Sequence, residues 1–139
     1  VSSVRSKYDQ HDIRLEFRCL HDGEVMGVEN EYTQALLNLL GNAREVIQER
    51  SVPDGRVLVT VDANEQEAWI TVTDNGHGIA PDILPRIFDP YFTTRPKGIG
   101  IGLYMSKMIM ENNFGGRIEV TNTPEGAEFR ISTPLANAA

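Results

Sequence analysis

The sequence predicts an α+β protein: a two-layer α/β sandwich, with helices on one face of a mixed, mostly antiparallel sheet. Three observations carry this. Segments 57–62 with 68–73, and 117–122 with 127–133, are each joined by a short turn and read as antiparallel hairpins. Segments 29–49 and 101–113 read as long helices. The two kinds of element come mixed, with no repeated βαβ unit that would call for a parallel sheet.

In chain order, residues 1–12 are polar and lack an apolar stripe, so they read as a linker or the end of an upstream helix. Residues 13–20 alternate for most of their length, which predicts a half-buried strand. His21-Asp22-Gly23 is turn chemistry, and 25–28 reads as a short strand. The helix over 29–49 has Glu29 or Asn30 as a cap and Glu31 at the positive end of its dipole. Tyr32, Leu36, Leu39, Leu40, Ala43 and Ile47 form its apolar face. Asn38 and Asn42 stack one turn apart on a different face, shared by Glu45. Such a face is ordinarily just wet, but two short amides in register also suit a polar ligand.

Ser51-Val52-Pro53-Asp54-Gly55 ends this helix, and the first hairpin turns at 64–67. A short helix is expected over 82–87, after Pro81. The helix over 101–113 stops at Gly115-Gly116, and the last hairpin turns at Pro124-Glu125-Gly126. Residues 13–135 thus read as one domain and 136–139 as a frayed tail, without internal repeats.

The 139 residues are enough for a real core. A net charge of -7 argues against nucleic acid or an anionic membrane as a partner, since both favour basic surfaces. Bases do gather locally at Arg86, Arg95 and Lys97, as a solvated loop or as an anion contact. Cys19 is the single cysteine, so no internal disulfide forms and a reduced, cytoplasmic setting fits. No apolar run is long enough to span a bilayer. The chain begins at Val1 without methionine and reads as a piece of a longer protein, with any membrane anchor of the parent lying outside this piece.

The chemistry concentrates between Asp74 and Leu103, in D-N-G-H-G-I, then I-F-D-P-Y-F-T-T, then G-I-G-I-G-L. An ionised Asp74 only accepts hydrogen bonds. It would accept from the exocyclic amine of adenine and repel the carbonyl of guanine. D-N-G equally writes a tight turn. Gly98, Gly100 and Gly102 lead into a helix whose free N–H groups make an anion site. There is no G-K-[ST], so this is not a Walker loop, and no dinucleotide fingerprint is present.

Together with Asn38 and Asn42, these motifs resemble the ATP-binding catalytic domain of sensor histidine kinases. That family belongs to the Bergerat-fold group with DNA gyrase, mismatch-repair ATPases and a heat-shock chaperone. The resemblance covers about 25–135. It implies ATP and Mg2+ as ligands, with Asn42 on the metal and Asp74, Gly76, Gly78 and Ile79 around the adenine. It makes Phe88, with Tyr91 and Phe92, the hinge and base of a mobile cover. Thr93, Thr94, Arg95 and Lys97 would reach the phosphates as the cover closes. Gly98, Ile99, Gly100, Ile101, Gly102 and Leu103 would cradle them. Asn38, Asn42, Thr94 and Lys97 are the expected catalytic set. Where hydrolytic relatives carry a glutamate, Asn38 offers no general base. That points to phosphoryl transfer towards an outside acceptor.

Three departures stand out. Ile99 and Ala127 replace common threonines, and Glu45 stands where many relatives have Lys or Arg. The implied partners are an upstream dimerisation domain carrying the phosphoacceptor histidine, just before Val1, and a response regulator. The domain itself would be monomeric and its parent a homodimer. The alternatives are an ATP-hydrolysing clamp of the gyrase or mismatch-repair type, a degenerate module that binds no nucleotide, and an anti-sigma-factor serine kinase.

Overall fold

A computed structural model of the chain describes residues 13–19, 29–89, 102–113 and 115–134. The elements run β1 (Arg14–Cys19), α1 (Glu29–Glu49), β2 (Arg56–Ala63), β3 (Glu67–Asp74), a 3-10 turn (Leu84–Arg86), α2 (Gly102–Met108), β4 (Arg117–Asn122) and β5 (Ala127–Pro134). The expected strand at 25–28 lies outside the described residues.

The five strands form one sheet in the order β1-β2-β3-β5-β4. The two hairpins pair as expected, β2 with β3 and β4 with β5, and β3 joins β5 antiparallel. β1 runs parallel to β2, with Leu15 opposite Val57 and Phe17 opposite Val59. A parallel pair needs a crossover, and α1 supplies it. The mixed, mostly antiparallel sheet of the sequence reading is thus the observed one.

α1 occupies the span expected of it. Its fully buried stripe is Ala35, Leu39, Leu40, Ala43 and Ile47, while Leu36 lies at the margin, half-buried. It packs on Val57, Val59, Ile70, Val72, Phe129 and Ile131, which point from one face of the sheet. The opposite face is polar. There Arg130 lies 4.5 Å above the Trp69 ring, and Glu67 pairs with Arg117 at 3.4 Å. One apolar face per sheet needs one helical layer, hence two layers.

Two helical segments differ from expectation. Residues 82–87 make a 3-10 turn over Leu84–Arg86, because Pro85 lacks the N–H that would extend an α-helical ladder. The second long helix is α-helical only to Met108 and widens into a π-turn over Ile109–Asn113. Gly115 then takes φ 63, and the Gly116 N–H closes on the Met110 carbonyl at 2.9 Å. That closure is one residue wider than the usual Schellman bond, as a π-turn requires. No helix among the described residues is long and apolar enough to cross a membrane.

Candidate functional site

β3 alternates strictly. Ala68, Ile70 and Val72 are buried on the helix side, and the same parity carries Asp74 to that side at the strand's end. A carboxylate thus occupies a core-facing position, with 5% of its surface exposed. Its Oδ1 accepts from the Gly76 N–H at 2.9 Å and from the Ala127 N–H at 3.3 Å. Burial pushes the carboxyl above its ordinary range, against the opposing pull of those two N–H groups and of the Arg50 charge. A buried carboxylate that keeps this penalty is short of donors.

Glycines let the surroundings close in. A Cβ on Gly126 would lie 2.6 Å from Asp74 Oδ1, and one on Gly76 would meet Val46 of α1 at 2.9 Å. Gly78 has φ 80, where a side chain is strained. His77 holds φ 75 without being glycine.

Two side chains grip the loop that follows Asp74. α1 ends in a Schellman closure, with Ser51 at φ 50 and the Val52 N–H on the Ile47 carbonyl at 3.1 Å. Arg50, at that end, donates from one Nη1 to the carbonyls of Gly76 and Gly78, the latter at 2.7 Å. From β4, Asn122 accepts the Ile79 N–H at 2.8 Å and donates to the Ile79 carbonyl at 2.7 Å. The His77 N–H reaches the Glu125 carbonyl at 3.1 Å. Neither Arg50 nor Asn122 was singled out from the sequence. A base after a helix reads as a dipole partner, and an Asn at a strand end as a turn residue.

Asn38 and Asn42 are half-buried on α1, outside its buried stripe, as is Glu45. Gln34 Nε2 donates to Asn38 Oδ1 at 2.9 Å. Phe88 is half-buried and packs edge-on against Phe129, with centroids 6.2 Å apart. Lys107 Nζ sits 5.9 Å from the centroid of the Phe88 ring. Gly102 opens α2, and Leu103 packs against the core. Ser106 binds α2 to α1 through the Ala35 carbonyl at 3.3 Å. Tyr91, Phe92, Thr93, Thr94, Arg95, Lys97, Gly98, Ile99, Gly100 and Ile101 lie outside the described residues. Of the three bases noted near the cover, Arg86 is described and exposed. Among the described residues, no cluster of three or more His, Cys, Asp or Glu could hold a metal by itself.

Comparison with known proteins bears on the family and the fold. The two-component sensor PprA of Pseudomonas aeruginosa is 38% identical over 120 residues, which cover 83% of this chain. The chain spans 13% of PprA's length. The catalytic domain of histidine kinase ThkA, solved nucleotide-free, superposes with a TM-score of 0.84 at 27% identity, covering 96% of this chain and 88% of that one. Full-length ShkA in complex with AMPPNP superposes with a TM-score of 0.76 at 27% identity, over 99% of this chain and 30% of its own. The model of the family described as histidine kinase-, DNA gyrase B-, and HSP90-like ATPase matches residues 27–137. The chain belongs to that family of ATPase domains.

Proposed function

We propose that this domain binds Mg-ATP against α1 and the loop after β3, and that it is the catalytic part of a sensor histidine kinase. In the parent protein it passes the γ-phosphate to a histidine on a separate dimerisation domain. The observation that carries this is Asp74, a buried carboxylate with one oxygen held by two backbone N–H groups. Its Oδ2 takes neither bond and is offered to the exocyclic amine of adenine. That amine relieves a buried charge, and a guanine carbonyl would aggravate it.

The bound nucleotide supplies the phosphoryl group, and the chain's residues bind and orient it. Asn42 would hold the magnesium ion through its amide oxygen, a hard neutral ligand fitted to a cation that takes its other ligands from phosphate and water. The lack of an acidic cluster among the described residues fits a metal brought in by the nucleotide. Gly76, Gly78 and Ile79 surround the base. Thr93, Thr94, Arg95 and Lys97 meet the phosphates, with Gly98, Ile99, Gly100, Ile101, Gly102 and Leu103 as their cradle. Phe88, anchored on Phe129, is the fixed end of the cover. Asn38 is an amide and cannot take a proton from water, which favours transfer to an external acceptor over hydrolysis. Phosphoryl transfer is mostly positioning and charge neutralisation, so a domain without its own nucleophile can be the catalyst. The parent acts as a homodimer and hands the phosphoryl group on to a response regulator.

Calorimetry with AMPPNP and magnesium tests the binding. Wild type is expected to bind and Asp74→Ala is not. Labelled ATP with the parent's dimerisation domain added in trans tests the chemistry. Label is expected on that domain's histidine. Label on a histidine of this chain, or steady ATP hydrolysis that Asn42→Ala abolishes, would overturn the transfer reading.

A further inference from the structure

We propose that Arg50 and Asn122 are positioning residues for nucleotide recognition, forming a two-sided clamp that holds residues 76–79 in the arrangement that presents Asp74. This rests on the nucleotide reading above. The loop contains two glycines and an exposed His77, and within it the Ile79 side chain packs against the core, so its backbone has many conformations to lose. Four of its backbone atoms are nevertheless held by just two side chains, beside the His77 N–H that reaches the Glu125 carbonyl. Arg50 Nη1 takes the Gly76 and Gly78 carbonyls, and the Asn122 amide takes both the N–H and the carbonyl of Ile79. The grips come from two separate elements, one from the end of α1 and the other from the end of β4. The Asn122 oxygen also lies 3.0 Å from where a Cβ on Gly78 would stand, so it backs the loop at its positive-φ glycine. A binding loop ordered in advance loses less entropy when ligand arrives.

The two grips differ in charge, which gives each its own signature. Arg50 is the cation acting on Asp74, and it favours the ionised carboxylate that adenine requires. Other titratable groups on the surrounding elements include His77 in the loop, Glu45 and Glu49 on α1, Arg56 on β2, Glu125 in the hairpin and Glu128 on β5. Glu125 is paired with Arg56 at 3.1 Å. Asn122 is neutral. Removing Arg50 therefore weakens binding and also moves its acid limb to higher pH. Removing Asn122 weakens binding and leaves the limb in place. A residue that merely stabilised the fold would do neither.

The test is AMPPNP–Mg affinity of the full chain from pH 5 to pH 8, for wild type, Arg50→Gln, Arg50→Lys and Asn122→Ala. Each of Arg50→Gln and Asn122→Ala is expected to weaken binding about tenfold at pH 8, and the double variant about a hundredfold if the grips act independently. Arg50→Lys keeps the charge and a multi-donor nitrogen, so it restores the acid limb and most of the affinity. In parallel, the Asp74 carboxyl is titrated by carbon NMR and amide exchange is followed at 76–79, both without nucleotide. Arg50→Gln should raise the Asp74 midpoint, and both variants should expose the loop amides. Folded variants with affinity within about twofold of wild type and an unmoved Asp74 midpoint would overturn the clamp. If wild type itself fails to bind, the nucleotide reading falls. The clamp then stands or falls on the ligand-free titration and exchange. Should Arg50→Gln not fold, Asn122→Ala and Arg50→Lys decide.

Discussion

Replacing Asp74 with asparagine separates what the carboxylate does for the fold from what it does for a ligand. The amide keeps an oxygen where Oδ1 accepts from Gly76 and Ala127, so the loop geometry has no reason to collapse. It removes the buried charge. Because burial raises the carboxyl above its unfolded value of 3.8, the folded state binds more protons than the unfolded one between those two values. Stability therefore falls as pH rises through that window, and the ionised Asp74 is a net burden above it. Asp74→Asn should be as stable as wild type or more so at pH 7, and the difference should vanish below the unfolded value. Affinity should move the other way. A hydrogen bond to a charged group contributes about 1.5–3 kcal/mol. Its loss, with an amide N–H now facing the amine of adenine, raises Kd about ten- to a hundredfold. Thermal melts across pH and AMPPNP calorimetry read the two effects on one preparation. A variant that melts well below wild type at pH 7 and still binds within about threefold would refute the reasoning, because the carboxylate would then be structural.

Other substitutions probe the surroundings. Gly126→Ala would place a Cβ against the Asp74 carbonyl and 2.6 Å from Oδ1. It should destabilise by about 1–3 kcal/mol in urea melts and weaken nucleotide binding as well. His77→Gly relieves a left-handed residue and should stabilise by roughly 0.5–1 kcal/mol, the strain relief exceeding the added unfolded-state entropy. Leu39→Ala opens a hole under α1 at a fully buried position, and should lower the unfolding free energy by about 2–5 kcal/mol. Asn42→Ala should leave AMPPNP affinity in magnesium at the level wild type shows in EDTA, as isothermal titration would report.

The elements were legible because their signals are local. Periods of 2 and 3.6 need only a few neighbouring residues, so α1, both hairpins and the Gly115 stop could be read from single windows. The 3-10 and π segments escaped for a related reason. The same spacing serves α, 3-10 and π turns, and the choice was made by Pro85 and by the wide closure at Gly116. Alternation does not reveal whether a strand's neighbour runs with it or against it, so the parallel β1 required the α1 crossover to be seen.

The same division runs through the site. Asp74, its two glycines and the paired asparagines sit within motifs a few residues long, and each residue type announces its chemistry. That Asp74 is buried, and which groups hold it, depends on contacts the chain makes across itself. Arg50 meets the loop from 26 and 28 residues away, Asn122 meets Ile79 from 43, and the Ala127 N–H meets Asp74 from 53. Hydrogen bonds act over about 3 Å, and no pattern along the chain encodes which distant residues come that close. The motifs behind the nucleotide proposal are therefore written in the order of residues, while the contacts that hold Asp74 and its loop were decided by folding.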